Sequence, residues 1–366
     1  MYHIRLFVIL ISVLFTISAC VGKSDSASEV RTLSASKQLV PVDTIAIQET
    51  DESFIGAFES IGVTTDPLRL YIADRKLHRV AVVDGASGEI VQIIGEHGQG
   101  PGEFDTPERA IRIGNRIIVE DAQAQLSFFT DEGRFLERHR LPEGVWRGGR
   151  WSLNAHEGDL YMAIHEADPR ASGLKATPDQ SVLARLNEDA GIAERFGSYP
   201  MFYQEGEYVW QFTTLDINQK HAAVGYYLSP DIQLYDMTSS GYPLAKTISI
   251  EHPRFMRPDA ELPMSMPRDE LQEHAINTSF VWQTFVLKSG VAVQVFNNRT
   301  EAFYDDLSEE ERTHYATLAH IASGEQENLE LPGRVFARDE KGRLYIELNH
   351  VPDQRKIGVY EVAGWE

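Results

Sequence analysis

The sequence predicts an all-β fold, a β-propeller of six blades. Three observations point there: a short apolar strand that recurs six times, turn residues that punctuate the strands, and an N-terminal segment able to complete the last repeat. The recurring strand reads Leu70-Tyr71-Ile72-Ala73, Ile117-Ile118-Val119-Glu120, Leu160-Tyr161-Met162-Ala163, Ala222-Ala223-Val224-Gly225, Val291-Ala292-Val293-Gln294 and Leu344-Tyr345-Ile346-Glu347. Its copies begin at 70, 117, 160, 222, 291 and 344, one blade apart with insertions. A further strand is expected after the repeat at 79–84, 126–131, 232–236, 302–305 and 357–361, usually ending at Asp. Turn residues follow, as in Gly85-Ala86-Ser87-Gly88, Asp131-Glu132-Gly133 and Ser239-Ser240-Gly241. Short strands rich in β-branched and aromatic residues, with frequent turns, indicate an all-β chain.

Radial closure follows from burial. A blade is a small twisted sheet that cannot cover both apolar faces alone, so blades stack around an axis and the ring must close. The last unit stops at Trp365-Glu366, soon after its second clear strand, and lacks an outer strand. Val42-Asp43-Thr44-Ile45-Ala46-Ile47 is similar to the outer-strand segment Ala245-Lys246-Thr247-Ile248-Ser249-Ile250. Residues near 42–48 are therefore expected to pair into the final blade.

Leu70-Tyr71-Ile72-Ala73-Asp74, His78-Arg79-Val80, the run Gly95-Glu96-His97-Gly98-Gln99-Gly100-Pro101-Gly102-Glu103-Phe104 and Pro107 together resemble the NHL repeat. The pattern is close in this blade and degenerate in the others. The chain also resembles the six-bladed propeller lipoproteins of Bacteroidetes-type bacteria. The glycines at 95–102 are not a phosphate loop, because no Gly-Lys-Ser/Thr follows and no helix is expected there. They are expected to supply positive φ between blades.

The N-terminus sets the expected address. A basic residue, an apolar run from Leu6 to Ile17 and small residues before Cys20 form a signal peptide over 1–19. Ile17-Ser18-Ala19-Cys20 resembles the bacterial lipobox, which implies lipidation at Cys20, the only cysteine of the chain. Several acyl chains, at roughly 0.8 kcal/mol per buried methylene, make such an anchor durable. Residues 20–38, rich in serine, are expected to be a tether and 39–366 the propeller. The expected location is the cell envelope, held by lipid alone. Val21 stands where aspartate often marks inner-membrane retention, which points to the outer membrane.

The net charge of −21 argues against nucleic-acid partners. Hydrophobic content of 42% supports a packed core, and a lone cysteine forbids an internal disulfide.

Three units carry long insertions, and the first two share one face of the disc, the expected working face. Segment 165–180 holds Pro169, Gly173 and Pro178 and reads as a loop. Segment 251–274 holds four prolines, then a short helix from Arg268. Ser308-Glu309-Glu310-Glu311 has capping-box spacing and is expected to open a helix through Ile321, on the opposite face of the disc. Loops on a rigid scaffold carry binding. The residues leading into each innermost strand are then the candidate ligand-binding set: Arg109, Trp146, Arg147, Arg150, Tyr208, Trp210, Asn277 and Arg334. Arginine beside Trp and Tyr in an acidic protein suits an anionic or sugar-like ligand. The plainer role for these residues is wedging between blades and ion pairing.

No His-Glu-x-x-His, no Cys/His cluster and no Gly-x-Ser-x-Gly occurs, so no catalytic residue is assigned and no cofactor is expected. Asp74, Asp121 and Glu347 sit at related places after the repeated strand; they either bind loop amides or ligate an axial calcium. Asn298-Arg299-Thr300 fits a glycosylation sequon, of little weight in a bacterial lipoprotein. The leading functional expectation is a lipid-anchored, non-catalytic module that binds a small ligand, a glycan or an envelope protein. The alternatives are a lactonase-like hydrolase or lyase with an axial divalent metal, by analogy of fold, and a platform for envelope assembly.

Overall fold

The computed structural model describes residues 37–149, 151–166, 175–304 and 311–365, with the backbone alone at 305–306. The signal peptide, Cys20, Arg150 and nearly all of the tether lie outside the described residues. Strand β1 (Gln38–Ala46) comes first. Blade one is β2 (Phe58–Thr65), β3 (Leu68–Asp74), β4 (Arg79–Asp84) and β5 (Ile90–Ile94). Blade two is β6 (Pro107–Ile113), β7 (Arg116–Asp121), β8 (Gln125–Thr130) and β9 (Phe135–Arg140).

Blade three splits its inner strand into β10 (Trp146–Arg147) and β11 (Asn154–His156). Both pair with β12 (Asp159–His165), followed by β13 (Leu183–Leu186) and β14 (Ile192–Phe196). Helix α1 (Met201–Glu205) leads to blade four: β15 (Thr213–Ile217), β16 (His221–Tyr226), β17 (Ser229–Asp236) and β18 (Leu244–Ser249). Helix α2 (Arg268–Ile276) precedes blade five: β19 (Phe280–Val286), β20 (Val291–Arg299), β21 (Arg312–His320) and β22 (Gln326–Glu330), with α3 (Phe303–Asp306) between β20 and β21. Blade six is β23 (Val335–Arg338), β24 (Leu344–Asn349) and β25 (Lys356–Ala363).

The recurring apolar strand is the second strand of every blade. Alternation cannot describe it, because consecutive residues, which point to opposite faces, are both covered: Leu70 and Tyr71, Ile117 and Ile118, Ala223 and Val224, Ala292 and Val293, and Tyr345 and Ile346 are all buried. Each blade face packs on the next, and the inner strands touch in a closed circle, β2–β6–β11–β15–β19–β23–β2. The ring is sealed as expected. Strand β1 is antiparallel to β25, with Asp43 opposite Val359 and Ile45 opposite Ile357. Ile45 and Ile47 enter the cluster that holds Phe58, Phe336, Tyr345 and Ile357. Blades pack so closely that a Cβ on Gly62 would lie 2.1 Å from the Ala110 carbonyl oxygen.

Two expectations fail in blade five. Residues 302–305 are not a strand, because α3 lies there. Residues 312–320 are not helical: β21 pairs with β20 along its whole length, from Arg299 opposite Arg312 to Val291 opposite His320. Helix propensity and a capping box contribute about 1 kcal/mol or less per residue. Nine ladder partners and six consecutive buried residues, His314 to Ala319, outweigh that. The shift also moves the insertion. It links a second strand to a third, so it belongs to the same face as the β18–β19 link and not to the opposite one.

The helix expected from Arg268 forms as α2. Gly95, Gly98 and Gly102 have φ of 77°, 157° and 83° in the β5–β6 link, which is the role assigned to them from sequence.

Candidate functional site

The axis is filled by side chains. Breaking the inner strand of blade three frees Trp151, which reaches across the centre and meets Trp282 of blade five edge to face at 4.7 Å. Arg334 of blade six lies over three rings, 4.7 Å from Trp151, 4.5 Å from Trp282 and 4.3 Å from Phe336. Its Nη2 donates to the Glu59 carbonyl at 3.2 Å. Charged pairs tie blades below this aromatic plug. Arg147 Nη1 is 2.8 Å from Glu108 Oε2, and its Nε is 3.8 Å from Glu120 Oε1. Arg109 Nε donates to the Leu153 carbonyl at 2.7 Å. Arg338 of blade six bridges to blade four, 2.6 Å from Asp216 and 2.6 Å from the Ile217 carbonyl.

Glu120 is fully buried, and loss of hydration pushes its carboxyl up to about 7, against the pull of Arg147. Burial likewise lowers the Arg109 guanidinium from its usual range, with Glu120 and Asp216 opposing.

Asp74 accepts the amides of Gly56, Ala57, Lys76 and Leu77 at 2.7–3.1 Å. Asp121 accepts those of Asp105, Thr106 and Gln123 at 3.0–3.1 Å. Both therefore serve as loop clamps. Glu347 lines a polar hollow between blades five and six. Among the described residues, no group of three His, Cys, Asp or Glu side chains is placed to hold a metal ion.

A cavity of about 390 Å³ opens beside the plug, on the face that carries the insertions. Trp151 and Trp282 form part of its wall, with Thr213, Thr214 and Val281 from the starts of β15 and β19. Trp210 and Phe212 come from the link before β15, and Tyr227 from the β16–β17 turn. Helix α2 covers one side with Arg268, Leu271, Gln272 and Ala275. The insertion of blade five supplies Phe303 and Tyr304, and the adjoining strand ends supply Arg299 and Arg312.

Arg299 and Arg312 each lie over two aromatic rings. The Arg299 guanidinium is 3.9 Å from the Phe280 centroid and 5.0 Å from that of Phe303. It donates to the Tyr227 hydroxyl at 3.0 Å and the Tyr304 hydroxyl at 3.4 Å. Arg312 is 4.4 Å from the Phe303 ring and 5.3 Å from Trp282. Arg268 is exposed on α2. Burial raises the Tyr304 hydroxyl above its ordinary value, so it stays protonated at neutral pH. The indole N–H groups of Trp151 and Trp282 are buried and find no acceptor among the described residues.

Of the residues singled out from sequence, Trp210 is in the cavity wall, edge-on to Phe280 at 5.1 Å. Arg334 supports the wall from beneath through Trp151 and Trp282. Arg109 and Arg147 belong to the charged lattice between blades two and three, the plainer role. Trp146 pairs with His165 in the short β10 ladder. Tyr208 stacks on Phe202 at 4.3 Å and bridges to Leu262, flanking the site. Asn277 is exposed at the C-terminal end of α2. Arg150 lies outside the described residues.

Sequence reasoning missed Arg268, Arg299 and Arg312. Arg299 stands in a sequon and Arg312 in a segment of helical spacing, so neither carries a local signal of a site. Asn298 uses its side-chain amide to hold the Arg254 carbonyl at 2.9 Å.

Residues 21–161 match the family model of the DUF5128 six-bladed β-propellers. The chain is a six-bladed β-propeller. Among solved structures, this propeller is similar to a DUF4221-family member from Bacteroides vulgatus. The two share 13% identity at a TM-score of 0.62, over 89% of this chain and 98% of that one. A candidate exported protein from Bacteroides fragilis aligns at 12% identity and a TM-score of 0.55, over 90% of this propeller and 96% of its own chain. At such identities the likeness is one of fold. No curated protein matches the sequence.

Proposed function

We propose that the protein is a non-catalytic binding propeller, tethered in the bacterial envelope through Cys20, which takes a small organic ligand into the cavity between blades four and five. The observation that carries this reading is the composition of the wall. Aromatic rings and arginines surround about 390 Å³, within the range of roughly 300–1,000 Å³ typical of small-molecule sites. Rings and guanidinium groups on one wall suit it to holding an organic molecule. Trp282 and Thr213 stand on strands, and Trp210 and α2 on links braced by them, so the site is pre-formed.

Ligand capture is tested by thermal-shift screening of a small-molecule library against the full chain and Trp210→Ala. Hits that stabilise the full chain and lose their effect in the variant support the reading. Hits unaffected by Trp210→Ala would remove it from this cavity. The export and tethering half is in keeping with the lipobox-like Cys20 and with the Bacteroides fragilis relative being a candidate exported protein. Cys20→Ser should move the protein from the detergent phase to the aqueous phase on Triton X-114 partitioning and abolish labelling by radioactive palmitate. Unchanged partitioning in the variant would refute lipidation at that residue.

A further inference from the structure

We infer that the rim of blade one docks an extended segment of another protein, apolar along its middle and basic at its ends, which pairs with β5 and lengthens that sheet by one strand. This surface is separate from the cavity between blades four and five and goes beyond the ligand-binding reading.

The first support is the character of the six outer strands. Each sheet ends at a strand with an open far edge: β1, β5, β9, β14, β18 or β22. Alternate residues of such a strand turn their N–H and C=O outward, a template for a further strand unless charge or proline blocks it. Five of the six carry such a block. Strand β1 has Pro41 and Asp43, and β9 has Glu137, Arg138 and Arg140. Strand β14 has Glu194 and Arg195, β18 has Lys246, and β22 has Glu327 and Glu330. Strand β5 reads Ile90-Val91-Gln92-Ile93-Ile94, with neither charge nor proline. Val91 and Ile93 are 49% and 38% exposed, β-branched side chains of the kind that favours strand pairing. The extra residue at Val91 does not set β5 apart, because β9, β14 and β18 have one at the same step.

The second support is that strand pairing already begins here. Gln48 pairs in parallel with Glu89, the residue before β5, and its N–H donates to the Gly88 carbonyl at 2.8 Å. Among the described residues, no strand continues that pairing along Ile90–Ile94.

The third support is charge, which selects the occupant. Glu89 and Glu96 are exposed at the two ends of β5, and neither is in an ion pair among the described residues. The turn of blade two that meets Gln92 is balanced: Arg112 pairs with Asp131, and Arg134 with Glu132. Basic ends on the incoming segment would therefore meet Glu89 and Glu96 and fix its register. A second copy of this chain fits less well. An antiparallel pair centred on Gln92 would bring Glu89 beside Glu96 of the other copy, between two molecules of net charge −21. Strand addition of this kind takes its affinity from main-chain hydrogen bonds and its specificity from alternate side chains.

The probe is a fluorescein-labelled peptide, Lys-Val-Thr-Val-Thr-Val-Lys, titrated with the full chain in neutral detergent and followed by fluorescence anisotropy. Two control peptides carry glutamate for both lysines or proline for both threonines. The expected result is saturable binding of the first peptide, about tenfold weaker binding of the glutamate form and none of the proline form. Hydrogen exchange at residues 90–94 should slow when the first peptide is bound. Ile93→Lys, at an exposed position where folding is not at stake, should weaken binding about tenfold. Glu89→Gln with Glu96→Gln should bring the lysine and glutamate peptides to similar affinity.

Binding of the proline peptide as tight as that of the first, or exchange at 90–94 that peptide leaves unchanged, would overturn strand addition at this edge. Absence of binding, or affinity that survives Ile93→Lys, would do the same. A dimer of the full chain in analytical ultracentrifugation that Ile93→Lys dissolves would give the edge to a second copy and overturn the partner assignment. None of these results bears on the cavity, which the screen against Trp210→Ala tests separately.

Discussion

Replacing Glu120 by glutamine should make the propeller more stable at alkaline pH than the unaltered protein, and the margin should vanish in acid. Glu120, next to last in the second strand of blade two, is fully buried beside Arg109 on the facing strand and within reach of Glu108 on that same facing strand and of Arg147 in blade three. Arg147 lies closer to Glu108, at 2.8 Å, than to Glu120, at 3.8 Å, so one cation serves two carboxylates unequally. Burial dominates, and the carboxyl sits at about 7 instead of the ordinary 4.5.

A carboxyl whose folded value lies above its unfolded value favours the fold while protonated. Its contribution is complete below about pH 4.5 and is lost as pH rises through about 7. From that shift the ionised form costs under about 1 kcal/mol at pH 5 and about 3 kcal/mol at pH 8. Glu120→Gln imitates the protonated state at every pH. The stability difference between variant and parent should therefore move by about 2 to 3 kcal/mol in favour of the variant between pH 5 and pH 8. Urea unfolding followed by tryptophan fluorescence at the two pH values, at fixed ionic strength, measures it, and other titrating groups cancel in the comparison. A difference that stays constant across the range would show that Glu120 ionises without cost, and the account of the axial charges would be wrong.

Ring closure gives a second expectation: Ile45→Ala, at a 3% exposed position, should cost about 3 kcal/mol in urea unfolding. Removal of 37–46 should leave the β25 edge bare and produce aggregates on size-exclusion chromatography. Asp74→Ala strands four loop amides and should lower stability by about 3 kcal/mol, with hydrogen exchange accelerating at Gly56, Ala57, Lys76 and Leu77; unchanged exchange there would refute the clamp. Gly62→Ala drives a methyl against the Ala110 carbonyl and should cost about 2 kcal/mol in thermal unfolding; an unchanged midpoint would refute the close approach of the blades there.

Blade number and closure were legible because their causes are local and repeated. A strand buried on both faces needs an apolar run wherever it occurs, so the six copies beginning at Leu70 and ending at Leu344 announce themselves without knowledge of their neighbours. The missing outer strand of blade six and the matching segment around Ile45 follow from the same pattern. Segment 312–320 was misread because its helical spacing is a weak local preference, while its pairing partner, β20, gives each residue a ladder contact that the sequence does not display. Once that strand was lost, the insertion carrying Phe303 and Tyr304 was assigned to the wrong face, and the cavity it lines was out of view.

The chain alone determined the kind of sheet, the tally of blades and the way the circle is fastened, since hydrophobic burial and turn geometry act over a few residues. Only the tertiary structure decided what the arginines do. Arg147 and Arg109 became ties between blades because carboxylates and carbonyls of blades two and three face them there. Arg299 and Arg312 became cavity wall because rings of β19 and of the blade-five insertion lie against them beside a space bounded by residues from 151 to 312. Separations of that size are invisible to local pattern, and folding alone brings the charge and the rings into one volume.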